Sequence, residues 1–382
     1  MKRLVVTTVL IGCLLSAAVL KADQDGKPEP NAALLYWQAV ALLPQFSDAQ
    51  KHLLHKTPHD KYVTLELGET AKELISSTGM SMSVLRRGSR VRQCNWGLTL
   101  EDGPATLLPH VGKMRTLVRL ATLHARGELD YEGPRDAKKD MAAVENLVAA
   151  VQLGRHIGED DLLITYLVQN ALEQTAVELI AYNVYRLHPD AQTLLLSRLA
   201  SITRASTLSD AVIGEKQVFV GTMKRKFSGK NGEKEFQNTL REYVGNSEVE
   251  KLQKQIPNAA AVLRLFDELG GMHDQLAGFC KLPPVEFKPK WEAIEKHAKE
   301  KNVIAALFLP SVGRAHELAA VADSRRAMLK AAVRMALGEV EAAKQIKDQY
   351  GQTFDIQETE KELIITAKLV VEKKNFSTTF PK

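Results

Sequence analysis

Within one seventeen-residue stretch the chain carries Cys94, Trp96, Glu101, Asp102 and His110. A thiol and an imidazole brought together can act as nucleophile and base, and a carboxylate can orient the base or move a proton. Gly97, Gly103, Pro104 and Pro109 punctuate the same stretch, so it reads as an irregular connection. Functional side chains favour such loops when rigid elements hold them. The competing reading is a structural plug, and it is the one favoured here. Trp96 then fills a core, Cys94 is buried or bridged, and Glu101 with Asp102 cap the helix that follows. A binding role for Trp96, Glu101, Asp102 and His110 ranks second and catalysis third.

The nearest thing to a metal motif is His52, His55 and His59, followed by Asp60. His52 and His55 share a helix face at i, i+3, as some metal-ligand pairs do. Lys51, Lys56 and Pro58 mark that segment as a solvated helix end, and no glutamate or cysteine completes a ligand set. The expectation is no metal and no cofactor. The chain has no G-x-S-x-G elbow, no H-E-x-x-H pair, no phosphate-cradling glycine loop and no dinucleotide fingerprint.

The elements that must position these residues are mostly helical. The length of 382 residues is ample for one large or several ordinary domains, and 45% apolar with 25% charged residues is ordinary globular composition. Asn31 can cap a first helix and Ser47 a second, which Pro58 limits. Gly68–Ser77 and Ser81–Val91 read as two short helices. Three long ones follow, over about 111–128, 135–157 and 160–187. Their short connections make neighbours antiparallel. The junction from Ala125 to Asp140 has a tetratricopeptide-like texture without the full repeat signature. Gln169, Asn170, Glu173, Gln174, Glu178 and Asn183 on the third long helix read as a wet face, with a buried network as the alternative.

His188-Pro189-Asp190 opens another helix, and 208–226 gives one more. A basic, glycine-containing loop at 229–232 separates residues 31–226, an N-terminal helical region, from 233–350, a C-terminal one. Within the latter, helices are expected over 234–244, 247–255 and 258–279. Leu282 to Pro289 reads as extended, 291–300 as a short polar helix, and 312–350 as one long helix with Gly338 inside it. Residues 351–382 carry a β-hairpin, with Leu363, Ile365, Ala367, Leu369 and Val371 alternating against polar or outward positions. Such a hairpin is marginal alone and must dock on the helical body. The fold expected is mostly α: antiparallel helical hairpins packed as an array or bundle, with a small C-terminal β-hairpin.

The first residues say where the chain goes. Met1-Lys2-Arg3 is a basic start, 4–20 is an apolar run, and Leu20-Lys21-Ala22 offers a peptidase site, so 1–22 reads as a secretory signal peptide. Residues 23–30 form a flexible leader. The protein is expected to be exported, periplasmic or extracellular. Two alternatives stay open: lipidation at Cys13 within Leu10-Ile11-Gly12-Cys13, or retention of 4–20 as an anchor, although a span needs ~20 residues. Only these would bring the protein to a membrane.

Removing Lys2, Arg3 and Lys21 takes 51 basic residues to 48 against 46 acidic ones, a balance of +2 rather than +5. That excludes a bulk electrostatic case for nucleic acid. The clusters Arg86, Arg87, Arg90, Arg92 and Lys224, Arg225, Lys226, Lys230 lack interleaved aromatic residues and read as solvated helix ends. Cys94 and Cys280 then remain, either as one disulfide closing a very long loop or as two buried thiols.

Two stretches carry a resemblance. Asn31 to Ala39 (NAALLYWQA) is one. Cys94-Asn95-Trp96-Gly97, Glu101-Asp102-Gly103-Pro104, Leu107-Leu108-Pro109-His110 and Arg155 to Asp160 form the other. Together, over about residues 31–190, they resemble a family of uncharacterised exported helical proteins of planctomycete bacteria. The resemblance implies export and a helical fold and brings no activity with it. The function expected is a non-catalytic exported helical protein, an interaction or envelope-structural module with a protein or envelope component as partner. The alternative is a hydrolase-type enzyme using the Cys94–His110 region.

Overall fold

The structure, a computed structural model, describes residues 30–131, 133–203, 206–244, 256, 258–371 and 374–382. The signal-peptide segment with Cys13, nearly all of the leader, and the helix expected over 247–255 lie outside the described residues, as do the side chains of His59 and Asp102.

Local rules set most helix starts. Asn31 accepts the Ala33 N–H and opens α1 (Ala32–Ala41). Ser47 and Gln50 close a reciprocal capping box on α2 (Asp48–Lys56). The two short helices expected next are one continuous helix, α3 (Glu69–Gly88). Gly79 faces open solvent, so it interrupts no packing, while Leu74, Thr78, Ser81, Met82 and Leu85 form one buried stripe.

The long helices α4 (Pro109–Leu129), α5 (Ala137–Gly158) and α6 (Leu163–Asn183) pack in succession. Proline takes the first helical position of α4, where its missing N–H has no partner to lose. Asp136 caps α5 through the N–H groups of Lys138 and Lys139. α7 (Pro189–Ser201) lies against α5, with His188 as its cap.

Thr207 and Asp210 cap α8 (Leu208–Glu215), which runs through a π-helical turn at Lys216–Val220 into α9 (Gly221–Ser228). α10 (Gly232–Val244) and α11 (Ala259–Phe279) follow, the latter capped by Asn258.

The segment from Leu282 to Pro289, expected to be extended, is instead largely helical. Pro284 is the first residue of α12 (Pro284–Lys301), and Pro289 sits in its second turn. Phe287, Trp291, Ile294 and Ala298 are buried at helical spacing, and that packing outweighs one lost backbone bond. Asn302 caps α13 (Val303–Phe308), which the sequence reading missed.

The expected helix over 312–350 is two. α14 (Pro310–Ala336) ends where Gly338 adopts φ +75°, and α15 (Val340–Lys344) follows. Glu339 N–H reaches Arg334 O at 2.8 Å and Gly338 N–H reaches Met335 O at 3.0 Å, which is a Schellman stop. The glycine is there to end the helix rather than to weaken its middle.

β1 (Asp355–Glu358) and β2 (Glu362–Val371) form the expected hairpin, with Ile356 opposite Ile365. A third antiparallel strand, β3 (Lys374–Pro381), pairs on the other side of β2 and sets Phe380 opposite Leu363. Leu363, Ile365, Ala367, Leu369 and Phe380 are buried on one face, and the sheet docks on α14 and α6.

Two apolar cores result. The first joins α1 to α7 with the later turns of α14 and the sheet. The second joins Tyr166, α8, α9 and α11 to α13 with the first turns of α14. Both 31–226 and 233–350 therefore contribute to both cores, and α6 and α14 run through each. Among the described residues no helix is long and apolar enough to cross a membrane.

Candidate functional site

The stretch around Cys94 is threaded into the first core. Asn31 pins it: its amide donates to Asn95 O at 2.8 Å and its Oδ1 accepts the Asn95 N–H at 2.9 Å. Trp96 is half-buried. Its indole lies parallel to the His110 ring at 4.5 Å and to the Tyr36 ring at 5.9 Å. Its Nε1–H donates to the His156 carbonyl at 2.8 Å, near the end of α5.

His110 is 1% exposed, and its Nε2 stands 3.4 Å from Asp160 Oδ2. Cys94 is buried, and its thiol is pushed well above its ordinary range by burial, then by Glu159 and Asp160. A thiol so held is not the thiolate that nucleophilic chemistry requires. Glu101 is exposed in a 3₁₀ turn, Leu100–Ala105, and α4 begins without any side-chain cap, so the capping role expected of Glu101 is not taken.

Two residues that the sequence reading did not single out as functional complete this cluster. Tyr36 Oη and His156 Nδ1 are 2.8 Å apart, and both side chains are fully buried. Thr203 N–H donates to Gln152 Oε1 at 3.0 Å, which fixes that amide. Gln152 Nε2 then donates to His156 Nε2 at 2.8 Å, which assigns the ring proton to Nδ1. Burial pulls His156 down to about 4, so the ring is neutral. Glu159 is pushed up to about 7, first by burial, while the Cys94 N–H pulls the other way. A histidine on the same stretch as Val148, Val151, Leu153 and Ile157 was the available signal, and it marks a satisfied core histidine.

The remaining candidates are dispersed. His52 and His55 are exposed on α2, and burial together with Arg119, Arg115 and Lys56 lowers His55. No group of three or more metal-ligating side chains occurs among the described residues. Cys94 and Cys280 are free thiols. Cys94 belongs to the first core and Cys280 packs against the second, which is a correction to the disulfide alternative.

The α6 face expected to be wet is in large part buried: Gln169, Asn170, Glu173 and Asn183 are each 8% exposed or less. Glu173 faces Arg155 at 3.4 Å and Arg326 at 3.0 Å, and Arg326 also bonds Asp323. The basic clusters are largely paired, Arg90 with Glu145 at 3.2 Å and Lys226 with Glu235 at 3.4 Å, for example.

Open space lies elsewhere. A recess of about 270 Å³ is lined by Leu163, Val212, Phe219, Leu307, Phe308 and neighbours at the π-helical turn. Leu307 and Phe308 are 52% and 39% exposed at its rim. Glu215 in its wall accepts the Leu163 N–H at 3.4 Å and so caps α6, and burial raises its carboxyl. A second cleft of about 360 Å³ opens beside Arg155 and Arg326.

No family model, curated protein or solved structure matches this chain.

Proposed function

We propose that the chain is an exported, non-catalytic helical protein that works by binding a protein partner. The observation that carries this reading is where the chemistry-bearing groups go. Cys94, His110 and His156 are buried with the first core, His110 stacked on Trp96 and His156 bonded to Tyr36 and Gln152. None of them lines the recess or the cleft described above.

The exposed apolar side chains of Leu307 and Phe308 instead line the recess between the start of α6, α8 and α13. Besides Leu307 and Phe308, Ile164 and Ile213 stand next in sequence to the lining residues Leu163 and Val212 and are 52% and 41% exposed. Apolar side chains around a concavity suit docking better than catalysis. Export rests on the pattern of residues 1–22 and on the resemblance over residues 31–190.

The test is site-specific photo-crosslinking in the cells that make the protein. A crosslinker at Leu307 is expected to give a discrete protein adduct that disappears with Phe308→Glu. A crosslinker at Met80, which is 69% exposed on α3, is the control. The same adducts from both positions would overturn the reading.

A further inference from the structure

The cleft of about 360 Å³ is enclosed by α5, α6, α7, α14 and the turn after α15. Its walls carry two kinds of chemistry. Leu199, Ala327 and Ile346, each partly exposed, give it apolar surface, while Val151, Val177 and Leu329 are almost fully buried. Arg155, Arg326, Lys330 and Lys347 also line it, with Asp323 as the one carboxylate among its walls. Glu173 is ion-paired to both arginines. Four cations against two carboxylates leave a local surplus of two positive charges.

The four cations are not equally engaged. Arg155 donates to the Thr203 carbonyl and faces Glu173. Arg326 bonds Glu173 at 3.0 Å, Asn170 at 3.3 Å, and Asp323. Lys330 and Lys347 have no hydrogen bond or ion pair from their amines among the described residues. Burial lowers Lys330, and then Arg155 and Arg326 lower it further. It is a cation held beside cations, and the arginines leave it no carboxylate of its own. Both lysines are exposed to solvent, and they border a concavity whose walls also carry apolar surface. Ligand sites combine those features: an apolar wall, a few convergent polar groups and a volume of roughly 300–1,000 Å³.

We propose that this cleft binds a small amphipathic oxyanion. Its carboxylate or phosphate head would sit between Lys330 and Lys347, beside Arg155 and Arg326. Its short aliphatic or aromatic body would lie on Leu199, Ala327 and Ile346. The arginines, tied down by Glu173 and Asp323, fix the field at the site, and the lysines make the direct contacts. This site is separate from the recess at Leu307 and Phe308 and stands or falls without it.

The experiment is isothermal titration of the folded chain with hexanoate and with hexyl phosphate, using hexanol and hexyltrimethylammonium as neutral and cationic controls. At least one of the two oxyanions is expected to bind, with an affinity that falls as salt is raised. The stronger of the two names the head group. The pair Lys330→Gln and Lys347→Gln is expected to weaken binding about tenfold or more, the loss of a charged contact or two. These lysines anchor no packing, so thermal melts of the variant should match the parent and show that it folds. Hexanol binding as well as hexanoate, an unaffected double variant, or no saturable heat from either oxyanion would each overturn the assignment.

Discussion

Arg326 on α14 and Glu173 on α6 are 153 residues apart in sequence and 3.0 Å apart in space. Burial alone would lower the Arg326 guanidinium, but Glu173 and Asp323 outweigh it and hold it above its ordinary range. The pair fastens α14 to α6, the two helices that run through both cores. Removing one member leaves the other buried with only its second partner, Asp323 for Arg326 and Arg155 for Glu173, at up to about 3 kcal/mol, the lower end for a broken buried pair. Glu173→Gln and Arg326→Met are each expected to destabilise on that order in urea denaturation. The double variant should lose less than the sum, by about 1–3 kcal/mol of coupling. Strict additivity would mean that the two side chains contribute independently and that α14 is held by its apolar stripe alone.

This pair also marks the limit of what could be read from the chain. Signals that act within a few residues were legible: the Asn31, Ser47 and Asn258 caps, the bounds of α4 to α6 within a few residues, and the alternation in β2 that buries Leu363 to Leu369. Glu173 was misread because its partner lies 153 residues downstream, and on α6 alone a buried acid and a wet one look the same. Pro284 and Pro289 read as breakers because the burial of Phe287 and Trp291 that offsets them is tertiary. In the Cys94–His110 stretch the residues were identifiable, and Trp96 does pack as the plug reading expects. Their stacking on Tyr36 and bonding to His156 came from elsewhere in the chain.

Acid should destabilise the protein before its carboxylates titrate. His156 and His124 are both pulled down to about 4, in each case first by burial. His124 is held by Thr78 Oγ1 at 2.9 Å and His156 by Tyr36 and Gln152. In the unfolded chain both would titrate near 6.5. Between these values the unfolded state binds more protons, so stability is present above pH 6.5 and is lost as pH falls toward 4. Each ring contributes at most on the order of 3 kcal/mol. Glu159, raised to about 7, acts in the opposite sense, since the folded state holds its proton longer. Its side chain is 31% exposed, so solvent damps that effect. Melting temperature should therefore fall from pH 7 to pH 4.5, and His156→Gln should flatten the profile. A level profile in the parent protein would contradict the neutral buried rings.

The thiols offer a test of core assignment. Burial raises Cys280 to about 12, and Cys94 still further with help from Glu159 and Asp160. Both stay protonated at neutral pH and are poor nucleophiles. A thiol-specific reagent should label neither quickly in the folded chain and both in denaturant, and reductant should leave the melting temperature unchanged. A drop of several degrees on reduction would require a bridge between two cores that the fold keeps apart.

Glycine supplies a contrast between two positions that look alike in sequence, since both interrupt a helical pattern. Gly79 lies inside α3 with nothing within 4 Å of where a Cβ would be. Gly79→Ala should stabilise by about 0.5–1 kcal/mol, because alanine loses less chain entropy in a helix and meets no neighbour. Gly338 also has open space around it, but its φ of +75° closes the Schellman stop of α14. There the cost is in the backbone: Gly338→Ala should destabilise by about 1–2 kcal/mol, since an L side chain strains the left-handed region. Chemical denaturation of the two variants beside the parent reads the sign directly. If Gly338→Ala were neutral or stabilising, α14 would have to continue past Ala336, and the turn that sends the chain back toward the sheet would need another cause.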